Sequence, residues 1–186
     1  MDVSIIIVLI TGVVTAVGWL VNHVLTMRRE EKQHKTEALL EYTELQLEEL
    51  YGPLAFRLHD VRQTFQDLLD SLERDSVFPV EDKSELEMWL FWAENSFIPA
   101  NEELKNLLME NTHLIEGGKF PESYVDFLNH HNSWILQHQR WNQEGVEYSW
   151  HSKVNWPEEF EDEVLTTFYE LKERHTKLLG QLTTFG

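Results

Sequence analysis

The chain opens on a long uncharged run and then becomes a succession of amphipathic stripes. Val3 to Val21 carries no charged residue and is rich in Ile, Val and Leu. As a helix that run is roughly 28 Å long, close to the hydrocarbon thickness of a bilayer. Val24, Leu25 and Met27 extend it past Asn22 and His23, so the pattern predicts a transmembrane anchor over residues 1–27 that meets the bilayer through 3–27. Trp19 falls near one end of the span, and Arg28, Arg29, Lys32 and Lys35 follow in a basic segment over 28–35. Such residues belong at a membrane interface. Positive charge stays cytoplasmic, so the N-terminus is expected outside and the remainder inside. The start Met1-Asp2 has no basic residue, unlike a secretory leader. Gly12 and Ala16 form a small-xxx-small pair that could bring two copies together.

Beyond residue 35 the periodicity is helical throughout. Leu39, Tyr42, Leu45 and Leu50 continue the first helix to Gly52-Pro53, which should break it. Leu54, Leu58, Val61, Phe65, Leu68 and Leu72 make the stripe of a second helix, closed by Asp75-Ser76 and Pro79. Ser84 and Glu87 have capping-box spacing before Leu86, Trp89, Leu90, Ala93 and Phe97. Pro99 should end or kink that helix, and Asn101 could cap a short one bearing Leu104, Leu107 and Leu108. Gly117-Gly118 is a turn. Tyr124, Phe127, His131, Trp134, His138 and Trp141 then share a broad face. Gly145 to Asn155 reads as a loop. Pro157 opens a last helix with an acidic first turn, which suits the helix dipole, and a stripe through Phe160, Val164, Phe168, Leu171, His175, Leu178 and Leu182. No segment alternates as a strand does. The expected fold is all-α: a single N-terminal transmembrane helix, then an antiparallel bundle of five or six helices over 36–186.

Charge narrows the function. The sequence has 15 Lys+Arg against 33 Asp+Glu, a net charge of −18, and residues 36–186 hold 11 of those basic and 30 of those acidic side chains. Nucleic acid is not an expected partner, because phosphate binding needs clustered cations. With no cysteine there is neither a disulfide framework nor a thiol nucleophile. There is no phosphate-binding glycine loop, no nucleophile elbow and no His-Glu-x-x-His, so the sequence leans away from an enzyme while leaving that question open, and no cofactor is expected.

Three constellations remain. Glu110/His113 has the three-residue spacing that puts two ligands on one helix face, and Asp126/His130 the four-residue equivalent, so these four could form a metal site. The alternative is that the histidines of this helix are buried and hydrogen-bonded. Tyr148, Trp150, His151 and Trp156 cluster in or beside the 145–155 loop, and exposed aromatic loops are typical recognition surfaces. The competing reading is that the loop folds back over the end of the bundle. Self-association through Gly12 and Ala16 is the third.

Glu48-Glu49-Leu50-Tyr51-Gly52-Pro53-Leu54, the stretch from Glu110 to Pro121 continuing to Phe127, Leu128 and His130, and Trp156-Pro157-Glu158-Glu159-Phe160 together resemble a family of small bacterial proteins. Those proteins carry one N-terminal membrane helix followed by a helical domain and have no assigned activity. The resemblance covers most of the chain. It implies the bacterial inner membrane, with the helical domain cytoplasmic, and transfers no catalytic residue. The expected function is membrane-anchored binding or scaffolding of a protein partner, in an envelope or phage-defence setting. A metal- or small-ligand-binding sensor or enzyme, and a self-associating scaffold, are the rivals.

Overall fold

A computed structural model describes residues 3–80, 82–145 and 155–183, with side chains described from residue 11 onward. Helix α1 spans Val3–Leu45 and passes through a π-helical turn, Gln46–Tyr51, into α2, Gly52–Leu72. Helix α3, Lys83–Trp92, passes through a second π turn, Ala93–Phe97, into α4, Ile98–Glu110. A 3-10 turn at Thr112–Leu114 precedes α5, Glu122–Glu144, and α6 is Glu158–Thr183. No strand occurs among the described residues. The all-α expectation holds, but the count does not. Among the described residues there are four continuous helical stretches, and a bundle of five or six helices is not shown.

The reason lies at the two prolines. Each expected break, at Pro53 and at Pro99, is bridged by a π turn that ends just before the proline. A proline inside an α-helix lacks the N–H and presses its ring against the carbonyl four residues back. Here the residue before each proline reaches five residues back instead: Gly52 N–H bonds to Leu47 O, and Ile98 N–H to Ala93 O. The wider turn makes room for the ring and the helix continues. At the first site the carbonyl of Glu49, which Pro53 cannot satisfy, accepts a hydrogen bond from the Asn111 side-chain amide at 3.0 Å.

The expected transmembrane helix is also overturned. Among the described residues no helix is long and apolar enough to cross a membrane. From residue 11 onward the Val and Leu of α1 are diluted by Thr11, Thr15, Asn22 and His23, and Arg28 to Lys32 follow without a break in the helix. Trp19 stacks on His23 at 5.4 Å, and Lys35 pairs with Glu31 at 2.6 Å.

The chain divides into two compact units, Met1–Thr43 with Arg174–Gly186, and Glu44–Glu173. In the first, Thr36, Thr43 and Leu178 are buried, while Val13, Val14, Val17, Leu20 and Leu25 are exposed. The second holds two apolar clusters. One joins Leu50, Leu54 and Leu58 to Leu104, Leu108, Phe127, Phe160 and Val164. The other joins Leu68, Leu69 and Val77 to Trp89, Ala93 and Phe97, with Trp134 lying flat on Trp89 at 5.8 Å. Helix α3 is capped by Asp82, one residue ahead of its start, whose carboxylate accepts from Ser84 and Glu85 N–H. That displaces the Ser84 cap expected from the sequence.

Candidate functional site

The three stretches singled out in the sequence meet in space, around the first π turn. Gln46, fully buried, donates to Leu114 O at 2.9 Å and to the Glu116 carboxylate at 2.8 Å. Tyr51 is buried beneath them and its hydroxyl accepts from Glu116 N–H at 2.9 Å. The Tyr124 hydroxyl lies beside that of Tyr51 without a hydrogen bond of normal geometry. Ser123 donates to Glu163 at 2.5 Å. Phe160 stacks on Phe127 at 4.5 Å and meets Tyr124 edge-on at 5.2 Å. Burial pushes the ionisation of both phenols upward, so both stay protonated at neutral pH. A phenol held neutral cannot serve as a base there. This is a joint that ties helices together.

The histidines of α5 are likewise committed to packing. His131 Nε2–H donates to the Glu102 carboxylate at 2.8 Å, and Lys105 approaches the same carboxylate at 3.1 Å. Burial holds the His131 imidazole below its ordinary range, opposed by the Glu102 hydrogen bond. The Lys105 hydrogen bond holds Glu102 low. His138 contacts Glu94 at 3.2 Å. His130 lies against Trp134 and Trp156, each at 5.7 Å. Glu110, His113 and Asp126 are exposed. Among the described residues no group of three or more His, Asp or Glu is placed to hold a metal ion, so Glu110, His113, Asp126 and His130 are not assembled as ligands.

Of the aromatic cluster expected to recognise a partner, Trp156 is described and Tyr148, Trp150 and His151 lie outside the described residues. Trp156 is half-buried and packs against Phe127 at 5.7 Å and Phe160 at 6.2 Å, closing the edge of the larger core cluster.

A concave surface lies elsewhere, between α2 and α6. A groove of about 310 Å³ is walled by Gly52, Ala55 and Phe56 on one side and by Leu165, Phe168 and Tyr169 on the other. His59, Arg62 and Glu161 complete it. Arg62 pairs with Glu161 at 2.7 Å. Phe56 is 75% exposed and Tyr169 is 63% exposed. Neither aromatic falls on the core stripe of its helix, and that was the signal available: a large apolar residue two positions from Leu54 and one from Phe168 must face away from the core. Only the packing of α2 against α6 reveals that the two faces converge. No protein family, no curated protein and no solved structure matches this chain, so any functional reading rests on its own residues.

Proposed function

We propose that the helical unit Glu44–Glu173 binds a protein partner through the α2–α6 groove. The observation that carries this is the pair Phe56 and Tyr169, two large and largely exposed aromatics on opposite walls of one concavity. Aromatics that line a pocket are the residues that most often dominate an interface, because they bury large areas at small entropic cost. The catalytic alternative has no corresponding support: the buried phenols are neutral, and His130, His131 and His138 are packed against rings or carboxylates.

The test is site-specific photocrosslinking in the native cell, with a crosslinking amino acid at position 56 or 169 and a control at Phe91, which is exposed on α3. One species trapped at 56 and 169 and absent at 91 supports the groove. Identical patterns at all three positions, or none at any, refute it.

Self-association is a second reading, favoured by the exposed apolar side chains of α1. Val13, Val14, Val17, Leu20 and Leu25 are each more than half exposed, and Gly12 and Ala16 are exposed among them. A contiguous patch of this kind is usually covered in solution. Sedimentation of the full chain checks it: a monomer across the micromolar range removes this reading.

A further inference from the structure

The ion pair in the groove is lopsided, and the lopsidedness points to what binds there. The Glu161 side chain is 12% exposed, held in the first turn of α6, whereas its partner Arg62 is 65% exposed on a flexible stem. A carboxylate that far from water requires a cation or several donors. Arg62 supplies the charge, but little holds Arg62 itself, since most of its side chain lies in solvent. The other arginine of α2, Arg57, is engaged by both Asp60 and Glu103. An incoming cation could therefore take the place of Arg62 on Glu161 without leaving an unpaired charge, because Arg62 returns to water at little cost.

The walls suit the rest of such a ligand. Phe56, Phe168 and Tyr169 offer aromatic surface to an aliphatic stem and to a cation. Phe168 already receives one: Lys172 Nζ lies 5.3 Å from its ring centre. The surroundings favour a basic partner too. The chain carries −18 overall, and Glu158, Glu159, Asp162 and Glu163 flank Glu161 on α6. A surface of that sign speeds encounter with positive segments and repels acidic ones.

We propose that the groove takes an arginine-bearing, otherwise apolar segment of the partner, whose guanidinium displaces Arg62 from Glu161. Arginine fits better than lysine because its planar fork bonds a carboxylate in two places and stacks on aromatic rings. This rests on the partner-binding reading of the groove and adds the chemistry of the occupant.

Fluorescence anisotropy with the full chain tests it. The probes are a short amide-capped peptide of Ala, Leu and Arg, labelled with fluorescein, and its twin with neutral citrulline for each Arg. The Arg peptide should bind about tenfold more tightly than the citrulline peptide, the scale of one charge-assisted bond to a shielded carboxylate. Arg62→Ala should tighten the Arg peptide severalfold, because the internal competitor is gone, and leave the citrulline peptide unchanged. Glu161→Gln should reduce the Arg peptide to the level of its twin, with circular dichroism confirming that α6 stays folded. If Glu161→Gln disturbs the fold, Arg62→Ala decides alone, since that side chain is exposed. Equal affinity for the two peptides, or weaker Arg-peptide binding in Arg62→Ala, overturns the exchange. Equal binding that is lost in Phe56→Ala overturns the exchange but leaves the groove as a docking site. No binding of either peptide overturns the exchange, and the crosslinks at 56 and 169 then decide separately whether the groove binds a partner.

Discussion

Replacing Gly52 with alanine should destabilise the protein, although the general rule for helices predicts the reverse. Inside a helix, glycine to alanine normally stabilises by roughly 0.5–1 kcal/mol, because alanine has less backbone freedom to lose. Gly52 sits in helical conformation, yet its amide closes the π turn onto Leu47. A Cβ built there lies 2.4 Å from the Leu47 carbonyl oxygen, a separation that real Cβ atoms do not tolerate. The obstacle is backbone rather than the tip of a side chain, so the turn must open or change register. Overpacking of this kind costs about 1–3 kcal/mol and here outweighs the propensity gain. Gly180 provides the control. It lies within α6 and a Cβ added to it meets nothing within 4 Å, so Gly180→Ala should gain the usual fraction of a kcal/mol. Urea denaturation followed by helical circular dichroism measures both on one scale. Opposite signs are expected. If Gly52→Ala proves as stabilising as Gly180→Ala, the π turn does not persist in solution and the account of Pro53 fails.

Other outcomes follow from the buried groups. His131 has its folded pKa held below the ordinary 6.5 by burial, among Glu102, Lys105 and the neighbouring His130. Its stability contribution is complete above about pH 6.5 and is lost as pH falls from there toward the folded value, because the unfolded chain takes up a proton that the native state resists. Melting temperatures across that range should decline in the parent protein and decline less in His131→Asn; parallel profiles would contradict the assignment. Tyr51→Phe strands the Glu116 amide and should cost about 1–3 kcal/mol in urea denaturation, with no change meaning that water substitutes there. Phe127→Ala empties the centre of the larger core cluster and should cost about 3–5 kcal/mol; a loss under 1 kcal/mol would show that the neighbours collapse into the space.

Periodicity made much of the interior legible. Leu54, Leu58, Leu68, Phe127, Phe160, Val164 and Leu171 lie on expected stripes and are buried. Phe65, on the same stripe as Leu58, is 41% exposed, because core contact is partial at that turn of α2. The prolines were misread for a definite reason. A proline's missing donor is visible in a sequence, but the wide turn that accommodates it, and at Pro53 the distant Asn111 amide as well, become meaningful only once the chain is folded. The expected anchor has no counterpart among the described residues, where Thr11, Thr15, Asn22 and His23 interrupt the Val and Leu of α1 before Arg28. Glu48–Leu54 and Glu110–Pro121 are halves of a single hydrogen-bonded joint, linked through Tyr51 and Asn111 and braced by Gln46 beside them, and the Trp156–Phe160 stretch packs on Tyr124 and Phe127. The groove left no trace in periodicity beyond two aromatics that did not fit their stripes.

The turn before Pro99 also sets an angle. Seven residues of α-helix make almost two whole revolutions, which is why His131 and His138 present the same side of α5. Their carboxylate partners, Glu102 and Glu94, stand eight residues apart. In an unbroken α-helix eight residues overshoot two revolutions by about 80°, and one of the two acids would face sideways. The wide turn at Ala93–Phe97 absorbs the surplus residue and brings Glu94 back into phase with Glu102. Pro99 thus governs the heading of a side chain five positions before it, and through that heading the grip of the second helical stretch on α5.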